Sequence, residues 1–165
     1  MSAGLAADAR VSTLEALLLM LFFGLFFYQW GAANLEGFLN YPLFRDMGEK
    51  LGRDDYLALR AGITRRIVPL LVAPFALSIV CTLALTLRGS QLVPRALLLA
   101  ILALQAVIAI STLTIQAPIQ LRLNREGHDL AVATRLIVTD FWLRKVPVQI
   151  EGGLVLYALW RVISR

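Results

Sequence analysis

The sequence predicts an all-α integral membrane protein, built as a bundle of four transmembrane helices. Of its 165 residues, 59% are hydrophobic and the mean hydropathy is +0.73, whereas roughly 45–50% is usual for a soluble domain. Four apolar stretches also approach the roughly 20 residues that cross a hydrocarbon core about 30 Å thick. Because lipid cannot hydrogen-bond to exposed backbone groups, such stretches must be helical. We therefore expect one transmembrane domain over residues 1–165.

The predicted spans cover residues 14–39, 67–87, 96–116 and 146–163. The first has one cation before it, Arg10, and is longer than the roughly 7–15 apolar residues of a signal peptide, so we expect it to be retained. The fourth is short and carries Gln149 and Glu151. We expect it to continue from a preceding helix rather than to begin at Val146.

Amphipathic stretches connect span one to span two and span three to span four. The first stretch is broken near Gly52, and Asp54 and Asp55 are expected to cap the helix that follows. In the second, residues 124–127 predict a turn and Asp129 predicts a helix cap. Both stretches are expected to cover the cytoplasmic side of the bundle.

The cations are unevenly distributed between the two ends of the predicted bundle. Eleven of the sixteen lie in the two long connections and five lie elsewhere. The positive-inside rule then places the long connections in the cytoplasm and both termini outside, as for a bacterial inner-membrane protein. The net charge of +5 indicates attraction to anionic headgroups, and no nucleic-acid partner is expected. The eleven are Arg45, Lys50, Arg53, Arg60, Arg65, Arg66, Arg122, Arg125, Arg135, Arg144 and Lys145, and the five are Arg10, Arg88, Arg95, Arg161 and Arg165.

Residues 14–87 and 96–163 read as two pseudo-repeated helix pairs. In each half, polar and small residues spaced by four, three and four positions lie on one helix face and precede a proline, Pro42 or Pro118. The prolines are expected to end these stripes, and a basic pair precedes Pro69 and Pro147. Duplication would give a symmetry axis along the membrane normal, whereas chance alignment of apolar sequence is the alternative. The stripes are Gln29, Ala33, Glu36 and Asn40, and Gln105, Ala109, Thr112 and Gln116.

Glu36 and Glu151 fall well inside predicted spans, where an ionisable group by default marks a functional site or an ion pair. Glu36 precedes Pro42 by six residues, about 9 Å along a helix, and Glu151 follows Lys145 by the same number. A polar pocket open to the cytoplasm is one interpretation, and it would bind a polar head, relay protons or hold a cation. In the alternative, the carboxylates pair with Arg66, Arg144 or Lys145 and the amides join helices. The predicted pocket comprises Gln29, Glu36, Asn40, Gln116, Gln149 and Glu151.

Aromatic residues crowd the middle of the first span. They predict an intramembrane interface with another protein, or a surface that docks a pigment or quinone. Lipid exposure and burial in the bundle core are the alternatives. The interface candidates are Phe22, Phe26, Tyr28 and Trp30.

The residues that usually carry catalysis or bind metals are sparse. The one cysteine, Cys81, is expected to be a small apolar filler, and the one histidine, His128, a solvated loop residue. No phosphate-binding loop, dinucleotide fingerprint or nucleophile elbow occurs. We expect no metal and no cofactor.

The pattern resembles a group of small bacterial four-helix membrane proteins that includes anthrone-oxygenase-like proteins. The resemblance rests on Tyr41-Pro42 after the first span, on Pro118 after the third and on Trp142-Leu143-Arg144 at the fourth. Most of that group has no assigned function. Gln120 stands where that group would have His or Asn after the proline, so the resemblance carries no oxygenase activity to this chain.

Three functions remain open at the level of sequence. The leading hypothesis is a non-catalytic integral membrane subunit or scaffold that packs laterally against other membrane proteins, for example in a photosynthetic or respiratory assembly. The second is a membrane enzyme or carrier for a lipophilic small molecule, with Glu36 as proton acceptor and Asn40, Gln116 and Glu151 orienting the ligand. Ion or proton transport ranks last, because few polar residues lie in the outer half.

Overall fold

A computed structural model describes residues 12–164; Arg10 and Arg165, counted above among the outer cations, lie outside this range. Within it the chain forms four long helices, each long and apolar enough to cross a membrane. They pack in chain order as an antiparallel ring, with the fourth closing on the first. Short connections join them at residues 49–52, 89–94 and 127–129. The helices are α1 (Thr13–Gly48), α2 (Arg53–Arg88), α3 (Arg95–Glu126) and α4 (Leu130–Ile163).

Each helix contains a five-residue π-helical segment that ends two residues before a proline. The residue just before the proline donates its backbone N–H to the carbonyl five residues earlier. Proline lacks an N–H group and its ring clashes with the carbonyl four residues back, so a wider turn accommodates it. The prolines are Pro42, Pro74, Pro118 and Pro147, and the π segments are Glu36–Asn40, Val68–Val72, Thr112–Gln116 and Phe141–Lys145.

These wider turns change two expectations from the sequence. α1 and α3 continue through Pro42 and Pro118, where the sequence predicted that each stripe would end. In α2 the π segment lies before Pro74, and Pro69, which we had matched to Pro147, falls inside that segment. The charged stretches around Pro42, Pro69, Pro118 and Pro147 are therefore parts of the four long helices, and they gather at one end of the bundle, which we call the charged end.

In α2 and α4, a proline leaves the carbonyl four residues before it without a helical N–H donor. A side chain of the preceding helix donates a hydrogen bond to that carbonyl. Leu70 O, four residues before Pro74, accepts a hydrogen bond of 2.8 Å from the Tyr28 hydroxyl of α1. Leu143 O, four residues before Pro147, accepts one of 3.1 Å from Ser111 Oγ of α3. These bonds tie α1 to α2 and α3 to α4 at the level of the breaks.

The helix boundaries confirm part of the sequence interpretation. α4 starts well before Val146, as expected, and Asp129 caps it by accepting a bond of 3.1 Å from Val132 N. The break near Gly52 is also confirmed. Asp54 and Asp55 do not cap α2, because Gly52 occupies the cap position and both aspartates lie in the first turn. The turn near residue 124 is shorter than predicted, since α3 runs to Glu126.

Two apolar cores are separated by polar layers along the bundle axis. The smaller core, at the charged end, contains Tyr41, Ile119, Leu123 and Leu136. The larger one lies toward the other end and contains Leu19, Phe22, Phe26, Cys81, Leu85, Val93, Leu98, Ile101, Val155 and Ala158. Buried polar side chains occur at several levels of the bundle, namely Glu15, Glu36, Arg60, Ser78, Thr82, Thr86, Gln105, Ser111, Gln116, Asp140, Lys145 and Glu151.

Candidate functional site

A buried ionic network lies at the charged end, where the π segments of α1 and α4 meet. Glu36 is 7% exposed, and Asp140 and Lys145 are 2% and 3% exposed. Arg144 is central: Nη2 lies 3.5 Å from Glu36 Oε2 and Nη1 lies 3.0 Å from Asp140 Oδ1. Lys145 Nζ is 3.8 Å from Asp140 Oδ2. The four charged side chains of this network are thus mutually paired, which buried ions require.

Tyr41 links this network to the other two helices. Its hydroxyl accepts hydrogen bonds from Arg144 Nη1 at 3.1 Å and from Gln120 Nε2 at 2.9 Å. Gln120 Oε1 in turn accepts from Arg60 Nη2, and Arg60 Nε donates to Asn124 Oδ1 at 2.7 Å. The connected set therefore includes side chains from all four helices, so it fixes their relative positions at this end.

A glycine lets α1 and α4 approach closely at the network. A methyl group at Gly37 would overlap Lys145 Cε and lie 2.6 Å from Asp140 Oδ2. Lys145 Nζ also lies 5.7 Å from the centre of the Phe38 ring, within range of a cation–π contact. The pairing of Lys145 with Asp140 thus depends on the absence of a side chain at position 37.

The cavity beside the network is small. Its volume is about 10 Å³, close to the smallest space that holds one water molecule and far below the roughly 300–1,000 Å³ of small-molecule sites. Carboxylate, phenol and guanidinium groups all face it. The lining residues are Glu36, Tyr41, Phe44, Arg60, Ile63, Thr64, Ile67 and Gln120.

The six residues proposed for one polar pocket fall into separate hydrogen-bonding groups. Glu36 belongs to the ionic network, and Gln116 donates to Thr139 Oγ1 at 3.0 Å. Gln29 Nε2 donates to Leu71 O at 2.8 Å, on the neighbouring helix α2. Asn40 is half-buried, and its side chain makes no hydrogen bond with any residue of the described range.

Glu151 lies deeper in the bundle, apart from Glu36. Its Oε1 accepts a hydrogen bond of 2.9 Å from Gln105 Nε2, and the same nitrogen is 3.3 Å from Ser78 Oγ. Of the ion pairs anticipated for the two glutamates, Glu36 with Arg144 is present. Within residues 12–164, Glu151 forms no ion pair.

Gln149 belongs to a third group, on the outer surface between α1 and α4. Its Oε1 accepts a bond of 2.9 Å from Trp30 Nε1, and its Nε2 donates to Asn34 Oδ1 at 2.7 Å. We call these three residues the amide seam. Leu35, Phe38 and Ile150, all more than half exposed, flank it with apolar surface.

The four aromatic interface candidates do not share one surface. Phe22 and Phe26 lie in the larger core, at 0% and 3% exposure, as the alternative of core burial anticipated. Tyr28 is 46% exposed and bonds to Leu70 O. Trp30 packs against Gly152 and joins the amide seam. Positions 22 and 28 differ by six residues, which places them on different faces of a helix.

His128 is less solvated than its loop position predicted. It is half-buried, its ring stacks edge-on against Tyr56 at 5.4 Å, and it packs against Gly48. Among residues 12–164, no group of three or more His, Cys, Asp or Glu side chains is placed to hold a metal ion.

Several members of the network were not singled out from the sequence. Asp140 had a usable signal, because it precedes Arg144 by four residues and so faces it on one helix surface. Arg60 and Asn124 had no such signal, since they lie on two different helices and are 64 residues apart in sequence.

Comparison with protein-family models, curated proteins and solved structures finds no match for this chain.

Proposed function

We propose that the chain is a non-catalytic integral membrane subunit or scaffold, and that the amide seam is where another membrane protein packs against it. The observation that carries the proposal is the position of Asn34 and Gln149. Their amides lie at the outer surface between α1 and α4, flanked by exposed Leu35, Phe38 and Ile150. Polar side chains that face lipid gain from contact with a partner helix, because hydrogen bonds and close packing replace contact with hydrocarbon.

The ionic network favours a structural role over catalysis. Its carboxylates are paired with Arg144 and Lys145, and the adjoining cavity of about 10 Å³ leaves no room for an organic substrate. Such a network fixes how the four helices pack against each other. A rigid bundle suits a subunit that presents a constant surface to its neighbours.

We assign the protein to a bacterial inner membrane, in a photosynthetic or respiratory assembly, with the charged end in the cytoplasm. The support for this orientation is the concentration of cations at that end.

We also propose that the two helix pairs are pseudo-symmetric. All four helices carry the same π segment before a proline. In both pairs a side chain of the first helix bonds to the carbonyl that a proline frees in the second. A symmetric pair of helix hairpins accounts for both observations.

Site-directed photo-crosslinking in native membranes tests the subunit proposal. A photo-reactive residue replaces either Leu35, beside the seam, or Val80 on α2; the two positions are 56% and 59% exposed and therefore matched. We expect a discrete protein adduct from position 35 and only lipid adducts from position 80. The adduct at position 35 should fall at least several-fold when Asn34 and Gln149 are changed to Leu. Identical adducts at both positions would rule out docking at the seam.

The alternative is a membrane enzyme or carrier for a lipophilic small molecule. The observation that favours it is that Glu36 lines the cavity together with Arg60 and Tyr41, so a carboxylate, a cation and a phenol converge there. On this alternative Glu36→Gln abolishes binding or turnover of the molecule while the helix content is kept. Glu15→Gln, at the opposite end, is the control and leaves both unchanged. Ligand handling that is identical in Glu36→Gln and the unmodified protein would remove the alternative.

A further inference from the structure

A second buried carboxyl group, Glu151, lies at the centre of the bundle between three helices. It is contributed by α4 and contacts Gln105 of α3, which also contacts Ser78 of α2. The three residues are 3%, 1% and 2% exposed. The subunit proposal makes no use of this group.

The groups that surround Glu151 are uncharged. Its hydrogen-bond partner is the Gln105 amide, which also lies 3.3 Å from the Ser78 hydroxyl of α2. From α1, Trp30 packs against Gly152, the residue next to Glu151. Within residues 12–164 no cation pairs with the Glu151 carboxyl group.

The charged groups on the same helix are distant and already paired. Lys145 precedes Glu151 by six residues, about 9 Å along the helix axis, and it lies 3.8 Å from Asp140. Arg144 is paired with Glu36 and Asp140. An ionised Glu151 would therefore be a buried charge without a counter-ion, a state that proteins avoid by protonating the group.

We infer that Glu151 and Gln105 form a reversible proton-binding site, in which Glu151 is a neutral carboxylic acid as long as the four helices are packed together. The hydrogen bond from Gln105 supports this. A neutral Glu151 accepts the bond from Gln105 Nε2 at its carbonyl oxygen, so the observed contact of 2.9 Å is compatible with the acid. Gln105 Oε1 is buried, and among residues 12–164 no group donates a hydrogen bond to it.

The protonation state of Glu151 changes the energy of this arrangement more than its hydrogen bonding. The Gln105 N–H group bonds to either form of the carboxyl group, but only the ionised form places a charge without a counter-ion between α2, α3 and α4. Proton binding is therefore coupled to the packing of these helices.

Polar side chains lie on α2 between this site and the end opposite the charged end. Thr82 and Thr86 follow Ser78 at four-residue steps along one face of α2, and both are buried. Their hydroxyls donate to the backbone carbonyls of Ser78 and Thr82, at 2.9 and 2.7 Å. That face ends near a surface pocket of about 180 Å³ that is lined in part by Leu85, Glu15 and Arg88.

Infrared spectroscopy of the full chain in lipid vesicles, with ¹³C-labelled glutamate carboxyl groups, tests the inference. At neutral pH we expect an isotope-shifted carboxylic-acid carbonyl band that is lost in Glu151→Gln and retained in Glu36→Gln. Glutamine keeps the size and neutrality of the acid, so the first variant is expected to fold. Unmodified protein that lacks the band, or a band that persists in Glu151→Gln, would overturn the assignment.

A second variant keeps the test decisive if Glu151→Gln does not fold. Gln105→Leu retains Glu151 but removes its hydrogen-bond partner, so the acid band should move to the higher frequency of a weakly bonded carbonyl. Gln149→Leu, on the outer surface of α4, should leave the band in place. A band that does not respond to Gln105→Leu would separate Glu151 from the proposed pair.

Discussion

At the scale of single residues, the buried network between α1 and α4 balances two carboxylates, Glu36 and Asp140, against two cations. The cations are Arg144 and Lys145. Asp140 illustrates this, because its two oxygens face two different cations, Arg144 at 3.0 Å and Lys145 at 3.8 Å. Removal of one member of a buried ion pair leaves its partner without compensation, which costs more than the pair itself contributes. The free energy of unfolding therefore depends on each charged group of the network.

We predict that Asp140→Asn destabilises the folded protein by about 3–5 kcal/mol, the cost of leaving a buried ion unpaired. The measurement is the free energy of unfolding in mixed detergent micelles. Asp46→Asn is the matched control, because Asp46 also pairs with an arginine, Arg45 at 2.7 Å, but is largely exposed. The control should show no measurable loss. Equal stability of the two variants would mean that the buried network contributes nothing.

At the scale of helices, a hydrogen bond from one helix to a carbonyl freed by proline in the next adds to the apolar packing of each helix pair. Such a carbonyl has lost its helical donor, and no water replaces it in lipid. Tyr28 supplies the missing bond to Leu70 O in α2. A single hydroxyl group thus compensates for Pro74.

We predict that Tyr28→Phe destabilises the protein by about 1 kcal/mol, as for loss of one hydrogen bond. Tyr157→Phe is the control, since Tyr157 is equally exposed at 46% and, among residues 12–164, its hydroxyl bonds to Arg161 on its own helix. The effect should vanish when Pro74→Ala is also present, because the alanine N–H can bond to Leu70 O. A double-mutant cycle measures this coupling, and purely additive effects would contradict it.

The sequence was sufficient for the helices but not for the way prolines are accommodated within them. Apolar length predicted four helices, and Asp129 predicted the cap of α4. Whether a proline ends a helix or widens it depends on whether a neighbouring helix can bond to the freed carbonyl. Residues distant in sequence supply those bonds, as Ser111 does for Leu143, so no local sequence pattern predicts them.

At the scale of the whole molecule, the sequence placed the charged residues at one end but left two interpretations of Glu36 open, a polar pocket and an ion pair with Arg66, Arg144 or Lys145. The structure pairs Glu36 with Arg144. The sequence also placed Glu151 at the depth of Glu36, because Glu36 lies six residues from Pro42 and Glu151 six residues from Lys145. That depth is wrong, because Lys145 packs beside Gly37, at the level of Glu36, so Glu151 lies about 9 Å deeper along α4.

The four helices are considerably longer than the hydrocarbon core of a bilayer is thick. Helices of 32 to 36 residues are about 48–54 Å long at 1.5 Å per residue, whereas the hydrocarbon of a bilayer is about 30 Å thick. The bundle is therefore roughly 20 Å longer than the hydrocarbon that its helices are able to cross. In the proposed orientation this excess lies on the charged side, where a membrane protein docked at the amide seam would cover it only if that protein had a similar height.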